Sequence, residues 1–542
     1  MKKRLSVVLI LALFVSTLVF ASPNKDLGGP GGSAFTGKAK YIFVFIGDGT
    51  SITQRTAAEL YLANKNNPQD LKIAVDRASG KFPAGNGVTD FTPSIQRMLM
   101  SGFPGQGFSS TYSSNSLITD SSSSATAIAT GNKTRDGVVG MDPTATIPYT
   151  SMAKMAKAKG MKVGIVTTVS LDHATPASFY ASSPSRNNYY AIASQIPSTN
   201  FDYFAGGGFL AKGTKENQTK DIADVLKEGG YQVYNTRADF DKLKSGDSKV
   251  VVSNPRLDWQ YALPYSIDMT PDDITFAQFV SKGIEVLDNP NGFFMMAECG
   301  KVDWSCHAND AVASILDVLT LDEGVKAAYD FYQKHPTETL IVVTGDHETG
   351  GMTLGFAGTH YDTFLSRLHA QKISYDAFDN TVLFDFFEKN PNAVFDDILP
   401  IVEQYFGLKR YTKAEMDDMN AAAKNGDAES FAKLGLALQD YEIADLQSAF
   451  NVQPKDPNPT KRQQQLAELR QDPAFDIAYG SYSPFTLALT HTLNQKAGIS
   501  WTSFSHTGLP TPVSVIGVGA DLFNGYYDNT DIFKKVVRIG GL

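Results

Sequence analysis

Three uninterrupted apolar runs in this chain end on residues that can bind a metal ion or move a proton. The run 41–46 closes on Gly47-Asp48-Gly49, the run 293–297 delivers Glu298, and the run 339–344 delivers Asp346 and His347. A short apolar run without alternation reads as a strand buried on both faces. A fourth run, 162–168, follows a helical stretch at 149–159. Helical patterns separate the runs. After Trp304, for example, Val312, Ile315, Leu316 and Leu319 recur at i, i+3, i+4 and i+7. Strands alternating with helices predict an α/β fold, a three-layer sandwich with a central, mainly parallel β-sheet flanked by helices. In such sheets ligands bind beyond the strand C-termini, where Asp48, Glu298, Asp346 and His347 fall.

The N-terminus carries Lys2, Lys3 and Arg4, then an apolar stretch 5–20, with small residues at Val19 and Ala21. This reads as a signal peptide over 1–21, which predicts a periplasmic or secreted protein. Residues 22–38, with Gly28-Gly29-Pro30-Gly31-Gly32, read as a flexible lead-in, and 39–542 as one domain. No second run of ~18 apolar residues appears, so no stable membrane insertion is expected of the mature chain. The net charge of −9, from 48 basic and 57 acidic residues, argues against nonspecific nucleic-acid binding. With only Cys299 and Cys306, a disulfide scaffold is excluded, and both read as buried thiols.

Between about 358 and 490 the alternation gives way to polar helical sequence, with a capping box at Thr412 and Glu415, a stop at Asn425-Gly426 and one further helix over 430–450. This predicts a mainly helical insertion. It could act as a substrate lid, as a subunit contact, or only as an elaboration of the surface.

The chain has eight histidines, so their placement is informative. Asp303 and His307 lie at i, i+4, one helical turn apart, where both can face one ion. Asp346-His347 ends a strand, and His506 precedes the apolar run 513–518. Asp/His sets without cysteine suit zinc, and oxygen-rich sets suit magnesium. Thr119-Asp120-Ser121 leads into an Ala-rich run, a helix-start signal. A serine there faces free backbone N–H groups, a setting that favours phosphate, although Asp120 or Ser121 could equally serve only as the cap.

Phe45-Ile-Gly-Asp48-Gly, Thr119-Asp-Ser121-x3-Ala-Thr-Ala127, Ala174-Thr175-Pro176-Ala177 with Arg186 downstream, Glu298-x4-Asp303-x3-His307, Thr344-Gly-Asp346-His347-Glu-Thr-Gly-Gly351 and His506-Thr-Gly508 occur in one order. From about Lys38 onward the chain resembles the alkaline phosphatases. The resemblance implies a phosphomonoesterase working at alkaline pH on small phosphate monoesters, with Ser121 transiently phosphorylated and Arg186 clamping the phosphate. It implies a first zinc on Asp303, His307 and His506, and a second on Asp48, Asp346 and His347. A magnesium would sit on Asp48, Thr175 and Glu298. His173 and Trp304 stand where one common bacterial pattern has Asp and Lys; marine bacterial members carry His and Trp as here. His173 then reads as supporting the magnesium ligands rather than joining them, with Asp120 and Trp304 also beside the site. A phosphodiesterase or sulfatase on the same metal fold is the nearest alternative, and a non-catalytic zinc- or phosphate-binding protein the next. A homodimer is left open.

Overall fold

The computed structural model describes residues 37–65, 70, 71, 75, 95–211, 220–456 and 458–542. The expected leader, and the lead-in as far as residue 36, lie outside the described residues.

The strands of the main sheet are β1 (Tyr41–Gly47), β2 (Gly105–Ser110), β3 (Lys162–Thr167), β4 (Tyr203–Gly206), β5 (Gln232–Tyr234), β6 (Val250–Ser253), β7 (Phe293–Cys299), β8 (Thr339–Gly345), β9 (Thr511–Gly517) and β10 (Gly525–Asp528). They form one 10-stranded sheet in the order β10-β2-β9-β8-β1-β7-β3-β4-β6-β5. β9 runs antiparallel to both its neighbours, and every other pairing is parallel. Every residue of β1, β7 and β8 is buried, as their continuous apolar sequences require.

The helices that carry or support the site are α1 (Ile52–Asn64), α2 (Ser121–Thr130), α3 (Ala174–Tyr180), α4 (Lys301–His307) and α5 (Ala311–Tyr332). Side chains alternate across β1. Tyr41 and Phe43 meet Phe331 of α5 on one face, with ring centroids 4.8 and 6.1 Å apart. Ile42, on the other face, touches Gly540 of the C-terminal helix so closely that a Cβ there would lie 2.6 Å from its Cδ1. Helices on both faces of a parallel sheet make the three layers.

The register sets the strand ends flush. Gly47 pairs with both Cys299 and Gly345, and Thr167 pairs with Glu298. Asp48, Glu298, Asp346 and His347 therefore converge from three adjacent strands.

Between Leu354 and Ile499 the described residues contain helices and no strand. The Thr412–Glu415 capping box is present, and the helix ends at Lys424, before Asn425-Gly426. The single helix expected over 430–450 is two, Ala428–Leu436 and Asp440–Val452. The break has a tertiary cause: the Leu438 N–H leaves the helical pattern and donates to the Lys409 carbonyl at 2.8 Å, while Ala437 is extended and fully buried. No helix among the described residues is long and apolar enough to cross a membrane. Cys299 and Cys306 are free and buried.

Candidate active site

Ser121 is the first residue of α2. Asp120 caps the helix, its Oδ1 accepting from the Ser123 N–H at 2.9 Å. The serine hydroxyl is thereby fixed at the positive end of a ten-residue helix. Its Oγ lies 3.2 Å from His347 Nε2. Asp120 also pairs with Arg186, at 3.0 Å between Oδ2 and one guanidinium nitrogen. Burial would raise the Asp120 carboxyl, but Arg186 and hydrogen bonds from Ser122 and Ser123 hold it at about 2.

Two of the three metal sets expected from sequence gather tightly. Asp48 Oδ1 and Asp346 Oδ2 each lie 3.3 Å from His347 Nε2. His307 Nε2 is 3.3 Å from Asp303 Oδ2 and 3.2 Å from His506 Nε2, and His506 Nε2 is 3.5 Å from Asp303 Oδ1. Asp303 also clusters with His347 and His506, so the two sets adjoin.

The third set has His173 beside it. Asp48 and Glu298 cluster with a ring nitrogen of His173, while Thr175 donates to Asp48 Oδ2 at 3.3 Å. His173 Nε2 is 3.3 Å from an Arg186 nitrogen, which can only donate, so that ring nitrogen accepts and Nδ1 carries the proton. Burial first, then Arg186, lowers His173 to about 3, so the ring is neutral. A protonated Nδ1 aims a donor, not a lone pair, at its surroundings. Trp304 stacks edge-on against this ring at 5.9 Å.

The protonation pattern tests whether cations fit the other two sets. His307 Nδ1 faces the Phe504 carbonyl at 2.6 Å and His506 Nδ1 faces the Thr119 carbonyl at 2.7 Å. Carbonyls only accept, so both Nδ1 atoms hold the protons. With Nε2 unprotonated, the two Nε2 lone pairs point at each other and at Asp303. Thr349 Oγ1 donates to Asp303 Oδ1 at 2.5 Å, so it accepts from His347 Nδ1 at 3.3 Å, and the His347 Nε2 lone pair also faces inward. Asp48 Oδ1, Asp346 Oδ2 and Glu298 Oε1 are buried with no hydrogen-bond partner among the described residues. Lone pairs and orphaned carboxylate oxygens facing one another at 3.2–3.5 Å suit cations between them.

The electrostatics agree. Burial, then repulsion from neighbouring carboxylates, pushes Asp48 and Asp346 well above the usual range. Burial pushes Glu298 to about 7. Burial lowers His307, but Asp303 outweighs it and raises it, so this gap attracts positive charge.

Two supporting residues were given no role from sequence. Thr349 links Asp303 to His347, and Thr167 donates to Glu298 Oε2 at 2.5 Å. Thr167 ends β3 beside Glu298 and Thr349 lies two residues after His347, so their places at or just past strand ends are the signal that could have found them.

A family model described as alkaline phosphatase matches residues 84–442. Alkaline phosphatase 3 of Bacillus subtilis is 26% identical over 546 residues, covering 99% of this chain and 96% of that protein. The crystal structure of the cold-active alkaline phosphatase from a psychrophilic Shewanella superposes with a TM-score of 0.66 at 24% identity, covering 92% of this chain and 99% of that one. The Thermus thermophilus alkaline phosphatase superposes with a TM-score of 0.61 at 22% identity, covering 94% and 93%. The chain belongs to the alkaline phosphatase family of metal-dependent phosphomonoesterases.

Proposed function

We propose that this protein hydrolyses phosphate monoesters through a phosphoserine at Ser121, in the periplasm or outside the cell. Asp303, His307 and His506 would hold one zinc ion, Asp48, Asp346 and His347 a second, and Asp48, Thr175 and Glu298 a magnesium ion. The ions would supply the positive charge that offsets charge developing on the reacting oxygens. Residues 39–542 would form the catalytic domain.

The observation that carries this reading is Ser121 Oγ, seated at a helix N-terminus 3.2 Å from the inward-facing His347 Nε2. From there Ser121 Oγ can bond to phosphorus as the bond to the ester oxygen breaks. The alcohol leaves with one proton. Water then displaces the serine, and inorganic phosphate departs. Arg186 would orient the phosphate with its planar fork, and Asp120, paired with one end of that fork, would keep it aimed. His173, neutral and beside the other end, adds no charge to hold the product.

The test is Ser121→Ala. Turnover of a phosphate monoester should fall by roughly two or more orders of magnitude while zinc and magnesium contents stay at wild-type levels. Near-wild-type turnover would refute the covalent route. Faster hydrolysis of a phosphodiester or sulfate ester than of a monoester would refute the substrate class.

A further inference from the structure

A cavity of about 710 Å3 opens beside the site, and it shares Trp304 and His307 with it. Its volume falls within the roughly 300–1,000 Å3 of pockets that enclose small organic ligands. The walls come from two sources. The α/β core supplies Trp259, Trp304 and His307, and the helical segment after Leu354 supplies Tyr375, Arg462 and Tyr482. The Tyr375 and Tyr482 rings meet edge-on at 5.9 Å. Tyr482 also packs 6.0 Å from Phe504, whose carbonyl orients His307. A substituent that continues from the ester oxygen past His307 would enter this space.

The wall chemistry restricts what that substituent is. Aromatic faces suit a flat ring. Trp259 is 67% exposed, so its indole is available for contact, and its Nε1 is held by Asp376 at 3.2 Å. Arg462 is buried, lies 5.0 Å from the Phe384 ring centroid, and makes no ion pair among the described residues. Asp376 and Asp379 add carboxylate acceptors. Trp259 and Asn380 already donate to Asp376, and Thr486 to Asp379; a purely hydrocarbon ring would leave Arg462 without an acceptor, which the edge of a nucleobase offers.

We propose that this cavity binds the base of a nucleoside, which makes nucleoside monophosphates the favoured substrates. The proposal rests on the phosphomonoesterase reading above and deepens it. The α/β core would act on the phosphate, and the helical segment would select the alcohol.

The test compares adenosine 5′-monophosphate with ribose 5-phosphate. Both release a primary alcohol, so they differ at the base and not in the reacting bond. The metal-loaded enzyme should show kcat/KM roughly 5- to 100-fold higher for the nucleotide, the range that base–aromatic stacking supports. That ratio should fall toward unity in Trp259→Ala and in Arg462→Gln. Trp259 is largely exposed, so its variant reads the contact even if the Arg462 variant folds poorly. Ratios within about twofold for the wild-type enzyme, or a preference unchanged in Trp259→Ala, would overturn the inference and leave the phosphomonoesterase reading intact. No turnover of either ester would overturn both.

Discussion

Glu298→Gln should change sign in its effect on stability when metal is removed. In the folded protein, burial holds the Glu298 carboxyl at about 7 instead of its ordinary 4.5. The unfolded chain ionises near the ordinary value. Between pH 4.5 and about 7 the folded form keeps a proton that the unfolded form has released, so stability falls as pH rises through that window. Above it the full cost of the buried charge is present, roughly 3 kcal/mol for this one group. For a domain of about 500 residues, unfolding entropy near 2.1 cal/mol/K per residue makes that about 3 °C in Tm. Glutamine removes the charge. Its amide oxygen can still accept from Thr167, and its NH2 would sit where Oε1 now has no partner, in the cluster with Asp48. In chelator-stripped protein at pH 8, Glu298→Gln should therefore melt about 3 °C higher than wild type, with the gain gone below pH 4.5. With zinc and magnesium restored, the variant should melt lower, because it has lost an anionic partner for a cation. Thermal unfolding of both proteins, stripped and loaded, checks this. If Glu298→Gln lowers Tm equally in both forms, Glu298 is no uncompensated buried charge and the reasoning fails.

Two further outcomes are expected. Trp304→Lys should tighten inhibition by inorganic phosphate by about tenfold, the low end for a charge-assisted contact, because Lys301 already lies 4.7 Å from this ring; an unchanged inhibition constant with intact metal content would count against it. Thr349→Val removes the hydroxyl linking Asp303 and His347 and should weaken zinc affinity by roughly 10- to 100-fold at little cost to folding, measured by competition with a zinc indicator. Wild-type affinity would show that the link does not orient these ligands.

The centre of the sheet was legible because β1, β7 and β8 are each one apolar run with a polar terminus. The Asp303–His307 pair was legible because helical spacing is local. The flank of the sheet was not. β2 reads Gly-Gln-Gly-Phe-Ser-Ser, with no strand signal, and its pairing comes from contacts far along the chain. At Gly105 and Gly107 a Cβ would lie 2.4 and 2.2 Å from the carbonyl oxygens of Ala520 and Phe523, so the glycines serve neighbours more than 400 residues away. The same holds at the site. That Thr349 joins Asp303 to His347, that Arg186 meets His173, and that Tyr482 comes near His307 all depend on which segments meet in space. No local period encodes that.

The position of β9 has a consequence for the order in which the molecule assembles. β9 follows eight of the other nine strands in sequence, yet it sits inside the sheet, between β8 and β2. Until it arrives, β2 pairs with none of the seven other strands made before it, and a partly made chain presents the open edge of β8. His506 is delivered just ahead of β9, through a two-residue pairing with Thr349. One late event therefore closes the sheet and adds the last histidine to its cluster. Such long-range closure is slow, and the exposed edge invites pairing with other chains while it lasts. The same dependence keeps the cluster incomplete until His506 has been made and placed, so activity and closure of the sheet are coupled in a single step.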